Sequence, residues 1–174
     1  MVFSVRLVRF AAAAACVAAL LSGSVRAETI HAGKWGFSVV LPCRSQSASR
    51  NIATAVGNIK LTSYSCGTRD GGFFVAVADY PTRSVTQKST NAAYSGAING
   101  AASNIKGKIR RVTPYKLGKI TGRDALIDLK ASHQTAHLRI FYVRNRQFQL
   151  TFIGPKGQEN GKNCLRFLNS FRVK

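Results

Sequence analysis

Residues 135–153 read TAHLRIFYVRNRQFQLTFI, and this stretch decides the fold. In its second half Phe148, Leu150 and Phe152 alternate with Gln147, Gln149 and Thr151, the two-residue period of a strand with one face buried. Thr135–Val143, rich in aromatic and β-branched residues, reads as a strand of its own. Only Arg144-Asn145-Arg146 separates the two. So short a connection joins antiparallel neighbours, so a β-hairpin is expected here.

Working outward, Tyr115–Ile120 and Arg123–Lys130 carry strand signals as well. Downstream, Gly154-Pro155-Lys156-Gly157 breaks the sheet. Glu159–Phe171 then returns to helical spacing, with Cys164, Leu165, Leu168 and Phe171 turned inward. Upstream, Thr90–Ile105 places Ala93, Ala97, Ile98, Ala101 and Ile105 three and four apart. That predicts an amphipathic helix, capped by Ser89 or Thr90, ended by Gly107, and close-packed on a sheet through its Ala-rich face. Three strands are expected before it. Trp35–Leu41 has Phe37, Val39 and Leu41 on one face and stops at Pro42; Ile59–Cys66 and Phe73–Tyr80 follow, separated by a turn at Asp70-Gly71-Gly72. The small, polar segment Arg44–Asn58 reads as a loop. Three strands, a helix, four strands and a helix with hairpin-length links predict an α+β sandwich. Its sheet is largely antiparallel, of about six to seven strands, with helices packed on it.

Three of these stretches resemble the PsbP-like superfamily: Gly36-Phe37-Ser38-Val39-Val40-Leu41-Pro42, the strand Phe148-Gln149-Leu150-Thr151, and Phe167-Leu168-Asn169-Ser170-Phe171-Arg172-Val173. That group includes the PsbP extrinsic subunits of photosystem II, the Ran-binding Mog proteins and small bacterial envelope proteins. The resemblance spans nearly all of 28–174 in element order, and its motifs are core and turn positions. It implies an antiparallel sheet between helices, an α-β-α sandwich, in a protein that binds or assists other macromolecules. It carries over no metal, cofactor or catalytic residue, so no cofactor is expected.

Residues 1–27 read as a cleavable secretory signal. Arg6 and Arg9 precede the apolar run Phe10–Leu21, Ser22-Gly23-Ser24 breaks it, and Val25-Arg26-Ala27 sets small residues for a cut before Glu28. The run is shorter than the roughly 20 apolar residues of a membrane span. Cys16 offers a lipoprotein signal only weakly, because Ala13 stands where Leu is usual. The remainder, 28–174, suits one domain with a real core. It is expected to lie in the periplasm or outside the cell, with no transmembrane segment after cleavage. It holds 23 cations against six acids, a formal charge of +17, which favours anionic partners.

Three cysteines remain after the cut: Cys43, Cys66 and Cys164. In an oxidising compartment an odd number means one pair plus a free thiol, or an intermolecular bridge. Cys43–Cys66 is favoured because Cys164 sits on an apolar helical stripe, although spacing alone does not fix connectivity. A simple hairpin of the first two strands would point these two cysteines apart, so the Arg44–Asn58 segment must double back.

No constellation reads as catalytic. Asp124 and Asp128 share one strand face roughly 13 Å apart, too far for a retaining glycosidase pair, and are read as solvated. His133 and His137 have a helical metal spacing on a strand, with Gln134 where the zinc-protease acid would stand. His31 carries no pattern, and neither a GxSxG elbow nor a phosphate loop is present. The basic cluster says more. Lys106, Lys108, Arg110, Arg111, Lys116, Lys119 and Arg123 fall in 18 residues without an acid, and Arg139, Arg144 and Arg146 follow. All ten are expected on one exposed side as an anion-binding surface, with a solvated face as the plain alternative. The expected function is therefore a non-enzymatic, exported binding or accessory protein for an acidic protein or an anionic envelope surface. A charge-driven, non-specific nucleic-acid or anionic-lipid binder is the alternative, and a hydrolase with an unfamiliar site a more distant one. N-terminal sequencing of exported protein should begin at Glu28; an intact Met1, or lipid on Cys16, would overturn the signal assignment.

Overall fold

A computed structural model describes residues 26–54, 57–80 and 90–174. The segment 1–27, read from the sequence as a secretory signal, lies outside the described residues except for Arg26 and Ala27, as does the expected cap Ser89. The chain runs β1 (Glu28–Ala32), β2 (Phe37–Leu41), β3 (Gln46–Thr54), β4 (Gly57–Thr68), β5 (Gly71–Asp79) and α1 (Thr90–Asn104). It continues through β6 (Lys108–Leu117), β7 (Ile120–Leu129), β8 (Gln134–Val143), β9 (Arg146–Pro155), α2 (Lys162–Ser170) and β10 (Arg172–Val173). Seven strands form one antiparallel sheet in the order β3-β4-β5-β9-β8-β7-β6, and β1-β2-β10 form a second, smaller one. Among the described residues no helix is long and apolar enough to cross a membrane.

The expected hairpin lies mid-sheet: β8 and β9 pair without a slip from Gln134↔Pro155 to Val143↔Arg146. Strand alternation then sorts side chains into two cores. Ala125, Ile127, Ala136, Leu138 and Ile140 face α1 and its Tyr94, Ile98 and Ala102. Phe73, Val75, Phe141, Phe148, Leu150 and Phe152 face the small sheet and α2, meeting Phe37, Leu41, Phe167, Leu168 and Phe171. The second core is an aromatic cluster, with Phe37 edge-on to Phe148 at 5.7 Å and Phe171 stacked on Phe141 at 5.5 Å. Each ring buried in this way contributes on the order of 2–3 kcal/mol.

The result is a sheet-dominant α+β fold, and it departs from the sequence reading in several places. Arg44–Asn58 is not a loop: β3 pairs with β4 from Gln46↔Ser65 to Thr54↔Gly57. Its side chains are almost all exposed, so the backbone ladder forms it and no hydrophobic alternation announces it. The strand after Trp35 joins β1 and β10 rather than the main sheet. β6 starts seven residues earlier than Tyr115, at Lys108. The buried stripe of α1 runs through Tyr94, Ile98 and Ala102, with Ala97, Ala101 and Ile105 half-buried beside it, so the expected face of Ala93, Ala97, Ile98, Ala101 and Ile105 is turned slightly toward Tyr94. Tyr94 decides this rotation, packing on Tyr142 at 5.0 Å and donating its hydroxyl to the Thr121 carbonyl at 2.7 Å.

Cys43 and Cys66 are bonded, with α-carbons 5.8 Å apart, and Cys164 is free and buried. β3 resolves the geometric difficulty. Running antiparallel to β4, it brings its own start beside the end of β4, where Cys66 sits.

The end of α1 differs as well. Gly107 N–H donates to Ala102 O (2.8 Å) and Lys106 N–H to Ser103 O (3.1 Å), which closes the helix as a Schellman cap. The left-handed residue of that cap is Lys106, at φ 51°, where glycine is usual. Gly107 is needed for another reason: a Cβ there would run into Ile127 Cγ2. Lys106→Gly should therefore raise stability by about 0.5–1 kcal/mol. Gly107→Ala should lower it by about 1 kcal/mol or more in urea unfolding.

Candidate functional site

All six acids of the chain lie in the described residues, and their placement organises the charge. Glu28 accepts the Ser45 N–H (2.5 Å), and Asp70 accepts from Asn163. The other four are ion-paired to arginine: Asp79 to Arg146 (3.2 Å), Asp128 to Arg110 (3.5 Å), Glu159 to Arg110 (2.7 Å) and Asp124 to Arg139 (2.9 Å).

Asp124, read from the sequence as solvated, is only 6% exposed. Register explains its partners: Asp124 lies directly opposite Arg139, and His137 is two residues along β8 on the same face. Its Oδ2 accepts from His137 Nε2 (2.8 Å) and Arg139 Nε (2.9 Å), while Arg111 Nη2 stands 3.5 Å from Oδ1. Among the described residues Oδ1 itself has no hydrogen-bond partner. Arg139 also donates to Tyr115 Oη (3.0 Å) and Asn169 Oδ1 (2.8 Å), with its guanidinium 4.0 Å over the Tyr115 ring. His137 Nδ1 is 2.6 Å from Glu159 O. Both ring nitrogens thus face oxygen atoms of acidic residues, one a carboxylate and the other a backbone carbonyl. Burial alone would raise the Asp124 carboxyl, but hydrogen bonds and charge from His137 and Arg139 prevail and hold it below the ordinary aspartate value. In Glu159 the same opposition is settled downward by Arg110 and by backbone N–H groups.

Cys164 Sγ lies 3.9 Å from His137 Nδ1, so cysteine, histidine and aspartate stand in the order of a nucleophilic relay. Their chemistry is otherwise committed. The thiol donates to Glu159 O at 3.1 Å, the carbonyl that also engages His137, and burial pushes its pKa up to about 12. At 1% exposure it meets no solvent, and a thiol so protonated is not a nucleophile. His133 is exposed in the β7–β8 turn, at φ 52° and apart from this network. Among the described residues no group of three or more His, Cys, Asp or Glu could hold a metal ion.

The ten expected cations do not gather on one side. Arg139 is 5% exposed and internal to the ion network, because β8 is covered on both faces. Arg110 and Arg111 are tied to Glu159, Asp128 and Asp124. Lys106 and Lys108 are exposed at the end of the sheet where β6 begins. Roughly 26 Å of strand separates Lys108 from Lys116 at the other end.

That other end does assemble a group. The β6–β7 and β8–β9 turns meet there, as the pairs Lys116↔Thr121, Gly122↔Phe141 and Val143↔Arg146 require. Lys116 of β6, Arg123 of β7 and Arg146 of β9, with Lys119 and Arg144 in the two turns, therefore lie at one end of four adjacent strands spaced about 4.8 Å apart. Arg123 is held over Tyr94 (4.8 Å) and bonded to Asn91 (2.8 Å), and Arg146 is held by Asp79. Lys116, Lys119 and Arg144 are exposed and have no acidic partner among the described residues. Arg144 takes φ 56° at the hairpin tip, a conformation that favours glycine. Asn145 fixes the tip by donating to Tyr80 O (2.9 Å) and Asp79 Oδ1 (3.3 Å) and by accepting the Tyr80 N–H (2.9 Å).

Among solved structures, cyanobacterial PsbP (CyanoP) from Synechocystis superposes with a TM-score of 0.56 at 11% identity, covering 88% of this chain and 95% of that one. A protein from Bacteroides thetaiotaomicron gives a TM-score of 0.47 at 16% identity, over 82% of this chain and 46% of that one. No family model matches the chain, and no curated protein matches it by sequence. The likeness to CyanoP is one of fold: the domain is PsbP-like in architecture.

Removing the Asp124 charge should expose the dependence of the fold on it. Asp124→Asn leaves Arg139 buried without its anion, and should cost about 3 kcal/mol or more in urea unfolding at pH 7. Asp124 and Glu159 both have depressed folded values, so their stabilisation is present above about pH 4 and lost as pH falls through the folded values. Stability measured between pH 5 and 2 should fall steeply in the parent and less steeply in Asp124→Asn.

Proposed function

We propose that this is an exported, non-enzymatic binding or accessory protein that docks an acidic protein or anionic envelope surface. The docking site is the sheet end carrying Lys116, Lys119 and Arg144. The observation that carries this reading is the separation of charge. Four of the six acids are taken up by arginines, and these three cations are left exposed on neighbouring turns. Like charges held within about a Debye length, ~8 Å at physiological salt, reinforce one another's field. An ordered hairpin tip presents Arg144 without the loss of freedom a mobile loop would suffer on binding. The Cys43–Cys66 bond supports an oxidising compartment, in keeping with a signal segment over 1–27 and a periplasmic or secreted location. The burial of Cys164, His137 and Asp124 supports a role without catalysis.

Arg110 and Arg111 are poor probes, since reversing them would strand buried acids. Lys116→Glu, Lys119→Glu and Arg144→Glu together should change stability by no more than about 0.5 kcal/mol per site. Binding to immobilised polyglutamate should drop at least about tenfold, with a shallower dependence on salt. Unchanged binding would refute the site. Tighter, salt-steep binding to nucleic acid than to polyglutamate would move the protein to the nucleic-acid class.

A further inference from the structure

We infer that the outer edge of β3 receives an extended, acidic polypeptide segment of another protein as an added strand of the main sheet. The acidity of that segment rests on the docking reading above; the receptive edge does not. The seven-stranded sheet has two edges, β3 and β6, and β6 is much the more heavily defended. β6 carries a register irregularity between Ile109 and Arg111, a proline at 114, and the cations Lys108, Arg110, Arg111 and Lys116. Bulge, proline and charge are the devices that keep an edge from pairing. β3 has neither bulge nor proline, and a single charged side chain, Arg50, against the four cations of β6. Its nine residues pair with β4 in consecutive register, and among the described residues no strand lies beside it on the other side. Its exposed Ser47, Ala48, Ser49 and Ala53 are small and leave the backbone N–H and C=O groups accessible to an incoming chain.

A second observation concerns what holds this edge in place. β3 buries none of its described side chains, and β4 buries only Ile59 and Thr62. β4 is held on its other side by β5, but the outermost ladder, β3 on β4, has little core beneath it. Cys43–Cys66 ties the start of β3 across to β4, which keeps the ladder formed where burial does not. The bond thus presents an ordered edge with no strand beside it among the described residues.

Charge selects the occupant. β3 and β4 contain no Asp or Glu; exposed Arg44 precedes the ladder, and exposed Arg50 and Lys60 lie within it. A second copy would bring two domains of formal charge +17 together, with few apolar side chains on β3 to offset the repulsion. An acidic strand from a different protein gains both the backbone bonds and the field.

The test is amide hydrogen exchange of the protein with an eight-residue peptide of alternating Thr and Glu. Its control is the same peptide N-methylated at alternate residues, which keeps the charge and loses the pairing edge. Exchange of β3 amides within 46–54 should slow at least tenfold with the first peptide and not with the second. The Lys116→Glu, Lys119→Glu, Arg144→Glu variant should retain that protection. Cys43→Ser/Cys66→Ser, checked for a retained fold by circular dichroism, should lose it. Peptide binding with unchanged β3 exchange would overturn the edge while leaving the docking end standing. Equal protection by a neutral Thr–Ser peptide would overturn the acidic partner. Slowed exchange without peptide, growing with protein concentration, would show a second copy in its place.

Discussion

The carboxylate of Asp124 is the contact on which the rest of this structure depends. It sits on β7 with His137 and Arg139 of β8 on one oxygen and Arg111 of β6 near the other. Through Arg139 it reaches Asn169, and through His137 the carbonyl of Glu159, so both flanks of α2 are tied to the same ion. Taking such charges out of water costs several kcal/mol per ion, and the arrangement repays this only when every partner is in place. Removing one member leaves an uncompensated charge rather than a missing bond. The network therefore contributes register and position more surely than net stability. A one-residue slip of β8 would send His137 and Arg139 to the α1 face, where Leu138 and Ile140 belong.

That internal use of acid shapes the outside. A chain with six acids that commits Asp79, Asp124, Asp128 and Glu159 to arginine shows its surroundings little negative charge. The field outside is nearly that of the lysines and the remaining arginines, so the same pairing that orders the interior leaves the exterior field positive. Strand topology then decides which cations act together. Lys116 and Arg144, 28 positions apart in the chain, are brought to adjacent turns, while Lys108 and Lys116 of one strand are held at opposite ends.

The two edges of the sheet divide along similar lines. β6 is covered by side-chain chemistry that discourages pairing, and β3 is held by a covalent bond and a backbone ladder with little core beneath it. Stability here is uneven by construction. The aromatic core around Phe37, Phe141, Phe148 and Phe171 should open only with the whole fold, and the β3–β4 ribbon should open locally when the disulfide is reduced.

The sequence by itself determined the elements whose composition or periodicity carries a clear signal: the β8–β9 hairpin, β5, β7, the helix over Thr90–Asn104 and, in the last helix, the inward placing of Cys164 and Leu168. Alternation reports burial on one face, as in β9, while β8, buried on both, shows in its aromatic and β-branched residues. It also pointed to Cys43–Cys66, because Cys164 carried an apolar helical signature. Tertiary structure alone decided three things. β3 leaves no pattern, because a strand exposed on both faces is specified by its neighbour's backbone and not by its own side chains. The ion network was hidden because Thr135, His137 and Arg139 alternate with apolar residues as a wet face would; only the layer containing α2 turns that face into an interior. The cationic group was misplaced because adjacency in the chain is not adjacency in an antiparallel sheet. A ten-residue strand carries its ends roughly 30 Å apart, and the turns that meet at each end come from distant parts of the sequence.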